Sequence, residues 1–123
     1  MERNTIQRRA ICRVLEETGR PLGPPEIFEE ARRHAKGLGI ATVYRTIKSL
    51  LGEGYLQPVE LPGEPPRYER AGNGHHHHFR CNGCHRVFDL EGCPFAFKQI
   101  VPKGFTLEGH DLTLLGRCAE CAA

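Results

Sequence analysis

Two Cys-x-x-Cys pairs, Cys81–Cys84 and Cys118–Cys121, constrain most strongly what this chain can fold into. Thiol pairs at this spacing supply four thiolates, the ligand set of a tetrahedral structural zinc site. Immediately before the first pair stand His75, His76, His77 and His78. An extended segment alternates its side chains, so His76 and His78 share one face while His75 and His77 share the other. One strand can then serve two further metal sites, back to back. The second half of the chain therefore reads as a fold built around zinc.

Other uses of the same residues fit less well. A purification tag sits at a terminus, and this His run is internal. Two disulfides need an oxidising compartment. The opening Met1-Glu2-Arg3-Asn4 lacks the apolar core of a signal peptide, so the expected setting is the cytoplasm, with thiols reduced or metal-bound. Cys81-x-x-Cys84-His85 matches a haem-attachment pattern but leaves Cys118 and Cys121 unexplained. A dithiol redox centre would need one pair, not two.

The 123 residues suit one ordinary domain or two small ones, and 39% hydrophobic with 26% charged residues is a soluble globular composition. No run approaches the roughly 18 apolar residues of a membrane span, so no membrane partner is expected. The net charge of +2 is unevenly spread: residues 1–60 hold ten Lys/Arg against eight Asp/Glu, and residues 61–123 hold seven of each. The small basic excess of the first half is by itself a weak nucleic-acid signal.

In that half, Ile6, Ala10, Ile11, Val14 and Leu15 recur at helical spacing, and Thr18-Gly19-Arg20-Pro21 stops the helix. Pro24 and Pro25 open a second helix, whose core face is Ile27, Phe28 and Ala31 and which ends by Gly37-Leu38-Gly39. A third runs over 41–51 with Val43, Ile47, Leu50 and Leu51 as its apolar stripe. Residues 55–61 read as a strand, 62–66 as a turn and 67–70 as a short return strand. Three helices followed by a hairpin form a winged helix-turn-helix. The third helix carries Thr42, Tyr44, Arg45 and Lys48, side chains suited to a major groove; a plain three-helix bundle with a solvated face is the competing reading.

Residues 71–74 form a flexible junction between a domain over 1–70 and another over 75–123. Beyond it the pattern predicts a strand over 75–81, a knuckle at Asn82-Gly83 and a return strand over 86–90. A helix over 94–101 with Phe95, Phe97, Ile100 and Val101 as its apolar set follows, then a long strand over 105–115. No catalytic triad pattern or phosphate loop is present.

Gly39-Ile40-Ala41-Thr42-Val43-Tyr44-Arg45, the His75–His78 run and the two cysteine pairs occur here in one order. Together they resemble the ferric uptake regulator family of metal-responsive bacterial repressors, over nearly the whole chain. The resemblance implies an α+β fold: an N-terminal winged helix-turn-helix domain, a hinge, and a small α/β dimerisation domain with a structural zinc site. It implies a homodimer that binds a palindromic double-stranded DNA operator when its regulatory metal is in place. Cys81, Cys84, Cys118 and Cys121 match the family's structural zinc ligands. Glu69, His76, His78 and Asp89 match its regulatory site. His75, His77 and His110 match an additional site, where Cys93 stands in place of the family's usual acid; a lone cysteine is more often a small buried hydrophobe, and both readings of Cys93 stand.

One departure bears on the metal. Iron- and peroxide-sensing members usually place a histidine between the first two helices, and Arg20-Pro21-Leu22-Gly23 has none. Four N/O ligands suit tetrahedral zinc better than a five- or six-coordinate iron site. Zinc-sensing members, however, usually place a cysteine just before the histidines, and Ala71-Gly72-Asn73-Gly74 has none. Zinc, iron and manganese all stand as the regulatory metal, zinc slightly ahead. The rival function is a cytosolic zinc-dependent enzyme or a thiol redox protein; hydrolysis would need a general base beside metal-bound water, and no residue is placed in that role.

Overall fold

Helix α1 covers Arg3–Thr18 and buries Gln7, Ala10, Ile11, Val14 and Leu15, a stripe at the spacing of one helical face. Ile6, expected in that stripe, is 43% exposed; the face is rotated so that Gln7 takes its place. The Thr18 hydroxyl donates to the Val14 carbonyl at 2.7 Å, and Gly19 turns the chain out of the helix at a φ of 69°. These elements come from a computed structural model describing residues 3–72, 76–92 and 96–123, which divides into two compact units, Met1–Asn73 and Gly74–Ala123.

In the first unit, α2 covers Pro24–Ala31 and opens on its two prolines. The Gly23 N–H donates to the Glu26 side chain at 3.2 Å, which caps the first turn. α2 ends at Ala31, earlier than expected, and the tighter turns after it still bury Ala35 and Leu38. α3, Ile40–Gly52, buries Val43, Ile47 and Leu50 against the same core, with Leu51 at its margin.

Strands β1, Leu56–Leu61, and β2, Glu64–Arg70, pair antiparallel around Pro62-Gly63. Gly63 sits at a φ of 73°, the conformation a Pro-Gly turn needs at its second central residue. The predicted turn through Pro66 is thus too long, because Pro65 and Pro66 lie inside β2. A narrow ribbon tolerates them: the N–H that proline lacks can fall on an unpaired side of the strand. Leu22, between α1 and α2, bridges to Tyr68 through two backbone hydrogen bonds of 2.9 and 2.8 Å. This linker is laid against the outer side of β2, which the sequence reading did not foresee.

In the second unit, β3, His76–Cys81, is central, with β4, Val87–Glu91, antiparallel on one side and β5, Thr113–Gly116, parallel on the other. A knuckle links β3 to β4, with His85 at a φ of 63°. A final turn of helix, α4, covers Ala119–Ala122.

Two expectations fail here. The helix over 94–101 is a single 3-10 turn, Phe97–Ile100, with Ile100 80% exposed; Pro94 and Phe95 lie outside the described residues. The strand over 105–115 shrinks to β5. Phe105 and Leu107 are exposed apolar residues, and a strand exists only where a neighbouring ladder takes its hydrogen bonds. No described helix is long and apolar enough to cross a membrane.

Candidate metal centres and nucleic-acid surface

Cys81 ends β3, Cys84 lies in the knuckle, Cys118 caps α4 and Cys121 lies within α4. Their four Sγ atoms all lie within 4.8 Å of one another, and Cys84 and Cys118 are 3.8 Å apart. A tetrahedron with Zn–S bonds of about 2.3 Å has sulfur–sulfur edges of about 3.8 Å. All four are free thiols, so the disulfide alternative is not realised. The backbone N–H groups of Gly83, Cys84 and Cys118 donate to the buried Cys81 Sγ at 3.3, 3.4 and 3.3 Å.

These donors, that of Cys118 foremost, push the Cys81 thiol down to about 5. Cys121 is pushed up to about 12, chiefly by its hydrogen bond with Cys81. Four sulfurs at this range cannot all carry charge without a cation between them, and zinc fits. A Cβ on Gly83 would lie 2.8 Å from the Cys121 Sγ and 2.9 Å from its Cβ. Only glycine lets α4 close on the knuckle.

β3 presents its histidines as the alternation requires. On one face, His78 Nε2 lies 3.1 Å and His76 Nε2 3.5 Å from the same Asp89 oxygen, Oδ1. Asp89 is placed by register, since it pairs directly with His78 across β3 and β4. Two imidazole nitrogens and a carboxylate on one point form a nitrogen–oxygen donor set for a divalent cation.

On the other face, His77 is buried and its Nε2 lies 3.2 Å from His110 Nε2. The Phe97 ring packs 4.4 Å from His110. His75 and Cys93, predicted to join this pair, lie outside the described residues.

In the first unit, Glu69 on β2 accepts a 2.9 Å hydrogen bond from Gln57 Nε2 on β1. On α3, Tyr44 is 53% exposed, Arg45 and Lys48 are exposed, and Thr42 is half-buried. Arg45 Nη2 donates to Thr42 Oγ1 at 3.0 Å, so two of the four predicted DNA-reading residues are linked before any DNA arrives. His34 is exposed, and Cys12 packs partly buried against the core, where burial raises its thiol pKa. Sequence reasoning placed Gly83 in the knuckle without its close approach to Cys121, and it did not single out Gln57. A glycine inside a Cys-x-x-Cys pair was a usable signal, whereas an isolated glutamine on a strand was none.

A winged helix-turn-helix followed by a His-rich strand and a thiolate tetrad defines the class of metal-responsive transcription regulators. The chain belongs to the ferric uptake regulator family, whose model matches residues 2–115. Members of this family are dimeric DNA-binding transcription factors rather than enzymes. The zinc uptake regulation protein of Mycobacterium tuberculosis is 31% identical over 122 residues, covering 97% of this chain and 94% of that protein. The solved Helicobacter pylori ferric uptake regulator, described as having three functional metal binding sites, superposes with a TM-score of 0.74 at 30% identity, covering 95% of this chain and 80% of the other. A zinc-bound manganese uptake regulator superposes with a TM-score of 0.80 at 27% identity, covering 91% and 87%.

Proposed function

We propose that this chain is a cytoplasmic repressor of metal-homeostasis genes that binds a palindromic operator as a homodimer, with zinc as the sensed metal. The observation that carries the reading is the convergence of His76, His78 and Asp89 on one point of the β3–β4 face. Glu69, near the end of β2, is the fourth ligand and comes from the DNA-binding unit. A divalent cation supplies a positive centre that these four donors share. Leu22 occupies the linker between α1 and α2 as a buried aliphatic paired to Tyr68, so that segment adds no imidazole, and four N/O donors favour zinc. Cys81, Cys84, Cys118 and Cys121 hold the structural zinc. His77 and His110 belong to an auxiliary site that tunes the response. The exposed Ile100, Phe105, Leu114 and Leu115 suit a surface covered by a second copy.

At the operator, α3 enters the major groove. Tyr44 and Thr42 meet thymine methyls, Arg45 meets base or phosphate, and Lys48 meets phosphate. The test is an operator titration with zinc, iron and manganese in turn, on protein retaining its structural zinc. Filling the regulatory site should tighten binding roughly 5- to 150-fold. His76→Ala and Glu69→Ala should remain folded, zinc-containing dimers that ignore added metal. Tyr44→Ala should weaken specific binding about 10- to 100-fold, the scale of a lost base contact, and leave non-specific binding nearly intact. A full metal response in His76→Ala would move the switch to the opposite face of β3.

A further inference from the structure

Glu69 faces Gln57 directly across the hairpin, and the pair is partly buried with the amide nitrogen 2.9 Å from Oε1. The backbone around Glu69 is equally fixed. Tyr68, its neighbour, exchanges two hydrogen bonds with Leu22, and the Ala71 N–H donates to the Tyr55 carbonyl at 2.9 Å. A carboxylate on such a frame keeps one freedom, rotation of its own side chain, and the Gln57 amide removes it. Glutamine suits this role chemically: it donates to a carboxylate without neutralising the charge that a cation needs, as Arg or Lys would.

We propose that Gln57 is a positioning residue of the sensing site, holding Oε1 of Glu69 so that Oε2 alone is offered as a ligand. The proposal rests on the reading of Glu69 as a regulatory ligand. Single-oxygen ligation keeps the donor count low, which favours tetrahedral zinc over metals that take five or six ligands. It also settles the side chain's conformation before binding, so less rotamer entropy is lost when metal arrives. Partners of this kind, one step behind the ligands, commonly change metal affinity 10- to 100-fold when removed.

The probe is cobalt(II), added to the full-length chain with its structural zinc retained, and read by visible absorption as well as by operator binding. Gln57→Met keeps the side chain's length and removes the donor. Cobalt affinity should fall about 10- to 100-fold. The bands should also weaken toward a higher-coordinate pattern, as the released carboxylate binds through both oxygens. A purely structural role for Gln57 would not change the spectrum. Gln57→Thr, better suited to a strand and too short to reach Oε1, gives the same reading should Met disturb the hairpin. Wild-type affinity and spectrum in either folded variant, with Glu69→Ala still defective, would overturn the role of Gln57 alone. Wild-type cobalt binding in Glu69→Ala would overturn the reading of Glu69 itself, and this inference with it.

Discussion

The two units are held together by different forces. The first surrounds an apolar core in which Ile11, Ile27 and Val43 are wholly buried. In the second, the buried apolar side chains among the described residues are Cys81 and Val87, while Ile100, Phe105 and Leu115 stand exposed. Small domains seldom bury enough surface to offset the conformational entropy of folding, and a metal is one of the usual remedies. The first unit can therefore stand on burial, whereas the second has little buried apolar surface and relies on a metal held by its four cysteines.

Breaking the tetrad tests the comparison hardest. Cys118→Ser removes one of the four sulfur ligands and leaves a residue that can still cap α4, and structural zinc in small domains contributes apparent energies of about 10–16 kcal/mol. Hydrogen-exchange protection should vanish from β3, β4 and β5, and dimerisation with it, while α1 to α3 stay protected. A stable, dimeric variant with protected β3 amides would show that the second unit has another source of stability. The converse experiment is Ile27→Ala, at a fully buried site of α2. It should cost the first unit about 2–5 kcal/mol. Zinc content and the protection of β3 should be unchanged, and parallel loss in both units would mean that they fold as one.

The same difference explains what could be read from the sequence. Elements backed by a core were legible: the α3 stripe of Val43, Ile47 and Leu50 is buried as its periodicity implies. The thiolate tetrad was legible because Cys-x-x-Cys spacing is local chemistry that needs no knowledge of the fold. Where no core exists, periodicity misled. Phe97, Ile100, Phe105 and Leu115 resemble the apolar faces of a helix and a strand, yet most of that apolar surface stays exposed and little of the backbone becomes regular. Long-range placement was equally silent. Nothing in the linker sequence announces that Leu22 pairs with Tyr68. The Gln57–Glu69 pairing emerges only once the turn is fixed at Pro62-Gly63, with the register shift between Val59 and Leu61.

The smallest expected effect separates the units by pH. All three tyrosines, Tyr44, Tyr55 and Tyr68, belong to the first unit, so any stability linked to a phenol belongs there. Tyr55 donates its hydroxyl to Glu16 at 2.8 Å, and burial, followed by that hydrogen bond, pushes its pKa up to about 12. The folded state thus favours the neutral phenol, which ordinarily ionises near 10. The contribution is complete below pH about 10 and is lost as pH rises from there toward 12. Tyr55→Phe removes the hydrogen bond and should cost the first unit no more than about 1 kcal/mol at neutral pH, because Glu16 is exposed and turns to water instead. Above pH about 10 the gap between variant and parent should narrow, since the parent alone is losing this contribution. Chemical unfolding followed by helical circular dichroism at stepped pH measures the gap directly. A gap that stays constant through pH 12 would mean that the Tyr55 phenol gains nothing from its place beside Glu16.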